Sequence, residues 1–469
     1  MKRLSIACMM LSLAGCASYT AKPVNLDVQQ TALESRSLDA PDVRQFFERS
    51  LGHDTAWPPK SWDLDTLTLA AFHYHPDLDR AQARRLAAEA AIVTAGGRPN
   101  PTAGVSFQRN MDAAAGQSPW TYGLGFAIPI ETAGKRDYRI ETAQRLAQAA
   151  KLREAETVWQ VRSRVRADLL AAYPTEALVR RQHDLQAEIT RMLERRFTVG
   201  YASQPELTQA RLALNQAVLA LRQNQKQGAE NLARLAAAVG VPAAAIDGTA
   251  ISFDAFEQLP PVAALPPAEA RREALLSRPD VLAALAEYEA SQSALQLEIA
   301  KQYPDISLGP GYLWDAGQVK WSLGLSLVLP LLNRNEGPIA EAKARREEAA
   351  TAFLAVQAKA IAEVDEALAG YGHAVQMFET ADALLRDQQR NERAVTAAYK
   401  AGEADRLAWL SAQYQTVTAE LARISALSQA QQSLGHLEDA LRRPIGANAL
   451  GVTAEQVIES KSHRDGERP

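Results

Sequence analysis

The sequence repeats itself at a spacing of about 200 residues, and this limits the fold more than any other feature. His75-Pro76-Asp77 returns as Arg278-Pro279-Asp280, Pro101 as Pro304, Pro129 as Pro330, and Phe197-Thr198-Val199-Gly200 as Tyr399-Lys400-Ala401-Gly402. The offsets run only from 201 to 203, so two copies of one unit hold register over about 125 residues. The repeats are taken as 62–241 and 268–443. Between them, 242–267 carries Pro260-Pro261 and Pro266-Pro267 and reads as a connector. The polar tail, 444–469, is expected to be loosely ordered.

Each half has the same order: helix, two strands, very long helix, tight turn, helix. In the first half, Asp63 or Asp65 can cap the opening helix, which pauses at His75-Pro76 and runs to about Ala95. Gly96-Gly97-Arg98-Pro99-Asn100-Pro101 then forbids helix. The helical pattern resumes from about Lys135 to Phe197, and again from Pro338 to Tyr399. Some 63 residues at about 1.5 Å each give a rod of roughly 95 Å. Pro174 predicts a kink or local break in the first rod, and Gly370 with Gly372 predicts a looser stretch in the second. Leu410, Tyr414, Val417, Leu421 and Ile424 form a heptad seam, and Leu207, Leu214 and Leu221 share its seven-residue spacing.

Four short segments alternate with period two: 102–110, 120–128, 306–314 and 320–329. In the second, Trp120, Tyr122, Leu124, Phe126 and Ile128 oppose Thr121, Gly123, Gly125 and Ala127. In the fourth, Trp321, Leu323, Leu325, Leu327 and Leu329 oppose Ser322, Gly324, Ser326 and Val328. Length and pattern match transmembrane β-strands, with Trp120, Trp314 and Trp321 at the loop-proximal ends where an aromatic girdle belongs. Four strands cannot close a barrel, and open edges in lipid cost several kcal/mol per unpaired group. Closure must come from further copies of the chain. Three copies give twelve strands around a lumen that small residues cannot fill, although closure alone permits other copy numbers. The fold class expected is α+β, mainly α: two tandem helix–hairpin–helix repeats forming a four-stranded share of a β-barrel continuous with a long α-helical barrel.

The N-terminus specifies a location. Lys2 and Arg3 precede a short apolar run, Leu4 to Leu13, and then Leu13-Ala14-Gly15-Cys16, which looks like a bacterial lipobox. Residues 1–15 are expected to be a lipoprotein signal peptide, with Cys16 lipidated and 16–61 a lipid-anchored extended segment. Ala17 after the cysteine suggests sorting to the outer membrane. Cleavage removes Lys2 and Arg3 and no acid, taking the formal charge from −4 to −6. It also removes Cys8, so no intramolecular disulfide can form. The mixed, near-neutral charge excludes a nucleic-acid footprint.

The whole mature chain resembles the TolC family of outer-membrane efflux channels, and within it the cobalt-zinc-cadmium efflux branch. The resembling stretches are Trp62-Asp63-Leu64-Asp65-Thr66-Leu67, His75-Pro76-Asp77-Leu78, Arg98-Pro99-Asn100-Pro101 and Glu131-Thr132-Ala133-Gly134-Lys135-Arg136. The last is similar to that branch's Gly-Gly-Lys-Arg element, with Ala133 in place of the first glycine. The resemblance implies a homotrimer forming a passive duct across the outer-membrane lipid and periplasm. It also implies two partners, a periplasmic adaptor protein and an inner-membrane pump of the resistance-nodulation-division type, with heavy-metal cations as cargo. It places the adaptor contacts at the helix tips, Val199-Gly200-Tyr201 and Ala401-Gly402-Glu403. It places pore-gate acids just beyond them, where Glu206 stands in the first half; Asp405, one turn before Ala408, is the candidate in the second.

No catalytic residues, cofactor or resident metal are expected. His73, His75 and Asp77 are spaced by two, which in a helix puts them on different faces. No Cys pair, His-Glu-x-x-His element, phosphate loop or nucleophile elbow occurs. Organic-compound efflux and protein secretion would use the same architecture. A periplasmic coiled-coil lipoprotein scaffold explains the lipobox and heptads but not the two hairpins with glycine-lined faces.

Overall fold

A computed structural model describes residues 19–51, 57–112, 116–445, 456–458 and 461. Cys16 and the signal segment 1–15 lie outside the described residues. The first repeat contains α3 (Leu64–Tyr74), α4 (Pro76–Ala95), β1 (Thr102–Arg109), β2 (Trp120–Ile130), α5 (Lys135–Ala171), α6 (Glu176–Thr198) and α7 (Gln204–Val239). It is preceded by α1 (Leu26–Glu34) and α2 (Pro41–Leu51). The second contains α8 (Ala268–Ser277), α9 (Pro279–Ala300), β3 (Ile306–Asp315), β4 (Gln318–Leu327), α10 (Glu336–Ala401) and α11 (Arg406–Leu441).

The four strands make one antiparallel sheet in the order β1-β2-β3-β4. Register sorts the side chains onto two faces: Tyr122 lies opposite Phe107 and Trp314, and Tyr312 opposite Trp321. Those aromatics cluster at the loop ends, with Tyr122 and Trp314 rings 5.3 Å apart and Tyr312 and Trp321 rings 5.0 Å apart. The same face continues through Leu124, Phe126, Leu323 and Leu325, all exposed large apolar residues. The other face carries Ser106, Gly123, Gly125, Ser307, Gly311, Ser322, Gly324 and Ser326. One face is built for lipid and the other for water. The strands run to Ile130 in β2 and stop at Leu327 in β4, two residues past and two residues short of the expected ends.

The helices form two rows. Nearest the sheet, α5 lies between α4 and α9, and α9 contacts α10. Farther away, α6 lies between α7 and α11, and α11 contacts α10. Within the row nearest the sheet, ion pairs join Arg85 to Glu154 at 2.7 Å and Arg145 to Glu289 at 2.8 Å. The heptad seam is real packing: Leu410 and Val417 are buried against Leu185, with Ile189, Met192, Tyr414 and Leu421 around them.

The local break expected at Pro174 is present: the proline lacks an N–H, and Ala172–Thr175 leaves the helix between α5 and α6. Other expectations change. The second rod does not loosen at Gly370 and Gly372; α10 runs unbroken for 66 residues, since glycine weakens a helix without removing a hydrogen bond. The N-terminal segment is not extended throughout. Pro41 opens α2, whose Val43, Phe46, Phe47 and Ser50 make one buried stripe.

That stripe joins Leu67, Ala71, Val161, Val165, Leu235 and Val239 in the largest core, a belt where α3, α5 and α7 meet. The connector is strapped to the belt: the Trp62 N–H donates to Ala250 at 2.8 Å and the Ser252 N–H to Trp62 at 3.0 Å. The tail is not loose throughout, because Val457 is buried in this core and Lys461 pairs with Asp79 at 2.6 Å.

Candidate functional site

The two helix tips are built alike. At the first, Gly200 has φ 78°, the Tyr201 N–H donates to Arg196 at 2.8 Å and the Gly200 N–H to Phe197 at 3.1 Å. At the second, Gly402 has φ 80°, with the Glu403 N–H on Ala398 at 2.9 Å and the Gly402 N–H on Tyr399 at 3.1 Å. Both are left-handed closures that satisfy the last carbonyls of a helix. Val199, Tyr201, Ala401 and Glu403 are exposed around them.

Glu206 and Asp405 lie just past the tips, and each caps the returning helix. Glu206 accepts from the Ser203 N–H at 2.6 Å and the Ser203 hydroxyl at 2.7 Å, while Ser203 Oγ accepts from the Glu206 N–H at 3.4 Å. This is a reciprocal capping box. Asp405 accepts from the Ala408 N–H at 2.7 Å and from Arg196 at 2.7 Å. The backbone N–H and hydroxyl of Ser203 hold the Glu206 carboxyl below its usual range. The Arg196 guanidinium and the Ala408 N–H do the same for Asp405. Ser203 and Asp405 are offset by 202, so they are the matching cap positions of the two halves. The Arg196–Asp405 pair ties the first tip to the second, and Arg406–Glu188 adds a further link.

At the other end of the helices, the first elbow joins β2 to α5. Lys135 Nζ donates to the Tyr303 carbonyl at 2.6 Å and to Asp305 Oδ1 at 2.7 Å. Thr132 donates through its N–H to Asp305 at 3.0 Å and through its hydroxyl to Pro304 at 2.7 Å. Arg136 reaches the Gly96 carbonyl at 2.8 Å and Arg139 that of Ala95 at 3.3 Å. The elbow is therefore clamped to the bases of both hairpins. Sequence reasoning quoted Glu131–Arg136 for its resemblance and did not see this work. The signal was there: three cations within five residues, directly after a strand, match the orphan carbonyls at two helix ends.

The two histidines have local roles. His73 is buried with Nε2 3.0 Å from Asp42. His75 caps α4 by accepting the Asp77 N–H at 3.2 Å, its other ring nitrogen 2.9 Å from Arg164. Burial holds His75 below its ordinary value. No group of three or more His, Cys, Asp or Glu suited to hold a metal ion occurs among the described residues. No helix among them is long and apolar enough to cross a membrane.

The chain is 25% identical to the cobalt-zinc-cadmium resistance protein CzcC of Cupriavidus metallidurans over 330 residues, 67% of this chain and 76% of that one. It is also 25% identical to the pyoverdine export outer membrane protein OpmQ of Pseudomonas aeruginosa, over 93% of this chain and 95% of that one. The crystal structure of the Campylobacter jejuni CmeC outer membrane channel matches with a TM-score of 0.66 at 17% identity, covering 95% of this chain and 97% of that one. A model of the outer membrane efflux protein family matches residues 70–241 and 270–441, the two structural repeats. The chain belongs to the outer membrane efflux protein family, TolC-type channels that are passive ducts and not enzymes.

Proposed function

We propose that this chain is the exit duct of a tripartite system that exports heavy-metal cations. The observation that carries the cargo is the likeness to CzcC, whose name states cobalt, zinc and cadmium resistance. Three copies would close a twelve-stranded barrel, with Cys16 carrying lipid in the outer membrane and the helical rows lining a periplasmic tunnel. A periplasmic adaptor would dock at the exposed tips, around Val199-Gly200-Tyr201 and Ala401-Gly402-Glu403, and an inner-membrane pump would supply the energy. Glu206, repeated three times around a narrow end, would draw cations and repel its own copies when none is bound. Asp405 would act there only after releasing Arg196.

A second reading, export of an organic compound, is favoured by the likeness to OpmQ, which spans more of the chain. Deletion of the gene in its own host separates the two. Sensitivity confined to divalent metals supports the first, and sensitivity confined to organic toxicants overturns it in favour of the second.

A further inference from the structure

The chain contains two elbows of the same design, and only one is clamped on both sides. The N-caps of α5 and α10, Gly134 and Asn335, are both left-handed, with φ 71° and 61°, and are offset by 201. The first elbow sits between the base of its own hairpin, Ala95–Gly97, and the base of the next, Tyr303–Asp305, and grips both. Among the described residues, the second elbow grips only its own side: Asn335 donates to the Glu298 carbonyl at 2.7 Å. On its other side, Leu331, Leu332, Arg334 and Glu336 are exposed, Leu332 completely.

The repeat identifies what is missing. Lys135 corresponds to Glu336 at an offset of 201, and Tyr303–Asp305 corresponds to Asn100–Thr102 at 203. Arg98 stands two residues before Asn100 and is exposed, as is the whole of Arg98–Thr102. These two surfaces cannot meet within one chain: Thr102 opens β1 at one edge of the sheet, while the second elbow follows β4 at the other. In the row of helices nearest the sheet, α4 and α10 are likewise the two ends.

We propose that the second elbow seats against the Arg98–Thr102 segment of a neighbouring copy, pairing Glu336 with Arg98 there and covering Leu331 and Leu332. The occupant is a second copy because the first elbow shows how such a joint is filled, by the next hairpin base. The charges also fit: the intrachain joint sets Lys135 on Asp305, and the interchain joint sets an acid against a base. The assembled ring then carries the same double clamp at every elbow, and the angle between barrel and tunnel is fixed all round. This inference rests on the proposed assembly of several copies into one barrel.

The test uses the full-length lipoprotein in detergent, bearing Arg98→Cys and Glu336→Cys together. Treatment with a short thiol-to-thiol cross-linker is expected to convert the monomer band into covalent dimer and trimer, which neither single substitution yields. A charge-reversal series supports the contact independently. Arg98→Glu and Glu336→Arg are each expected to lower the temperature at which the oligomer dissociates, and the two together to restore it. An intact oligomer by light scattering that stays monomeric after cross-linking, with no rescue in the double reversal, overturns the elbow contact and leaves the channel standing. A monomer by light scattering for the unaltered protein overturns the assembly itself and the elbow contact with it.

Discussion

Arg442 ends α11 in the left-handed backbone region, φ 51°, and from there its guanidinium holds both oxygens of Glu156 at 2.8 Å. At the matching end of the first repeat stands Gly240, φ 86°, where a Cβ would press on the Tyr74 carbonyl at 3.1 Å. The second repeat thus accepts a backbone conformation costly to arginine and uses the side chain to tie its last helix to α5.

Two substitutions separate these opposing effects. Arg442→Ala keeps the strained backbone and loses a two-bond charged contact, an expected loss of about 2 kcal/mol. Arg442→Gly loses the same contact but relieves the left-handed conformation by about 1 kcal/mol, so it is expected to be the milder change. Denaturant unfolding in detergent ranks them; an alanine variant as stable as the glycine variant would remove the argument from strain.

Asp65 offers a pH-dependent counterpart. Its Oδ1 is buried with no hydrogen-bond partner among the described residues. Burial pushes its carboxyl up to about 6, Asp63 and Glu438 push the same way, and Arg162 opposes them. The folded chain therefore holds this proton more tightly than the unfolded chain, whose value is 3.8. Folding costs most above about pH 6, where Asp65 is ionised, and the cost is removed as pH falls through about 6 towards 3.8. Asp65→Asn is expected to raise the melting temperature at neutral pH, with an advantage that shrinks steadily on acidification. An advantage constant across that range would mean that Asp65 does not titrate as stated.

How much of this is legible in the sequence depends on what each residue does to the backbone. Pro101, Pro129, Gly200 and their counterparts act locally and mark the ends of elements, so the repeat and both tips can be read directly. Period-two alternation around Trp120 and Trp321 reveals two faces, because a strand offers no other arrangement. The glycines at 370 and 372 mislead: Gly370 is exposed and Gly372 half-buried on a helix held by its neighbours, and they cost too little to open it. The capping of Glu206 and Asp405 follows from Ser-x-x-Glu and Asp-x-x-Ala patterns, yet resemblance drew attention to their charge first. The partners in long-range contacts, such as Asp305 for Lys135 and Glu156 for Arg442, have no local signature and wait on the packing of two halves.

Lys135 joins elements 168 and 170 residues away and is buried, while Asp305 is partly exposed. Lys135→Met keeps the apolar stem and removes every hydrogen bond, leaving the Tyr303 carbonyl and Asp305 without their cation. The expected loss is about 2 kcal/mol, concentrated at the junction of sheet and helices. Because that junction sets the angle between the strands and the helices, the variant is expected to give less heat-resistant oligomer at equal expression. Oligomer yield equal to wild type would show that the elbow is held without it.

The gate proposal needs a substitution that separates charge from capping. Glu206→Ala removes both, since the carboxylate accepts from the Ser203 N–H and hydroxyl. Glu206→Gln keeps an oxygen for those donors, because glutamine serves the capping box as glutamate does, and removes only the charge. Its melting temperature is expected to match wild type. In a planar bilayer, wild-type conductance is expected to fall when a divalent cation is added on the periplasmic side, and that of Glu206→Gln to stay unchanged. Asp405, engaged with Arg196 at 2.7 Å, is expected to contribute to the effect only in an Arg196→Ala background. If Glu206→Gln responds to the cation as wild type does, the three carboxylates are helix caps and the narrowing lies elsewhere in the tunnel.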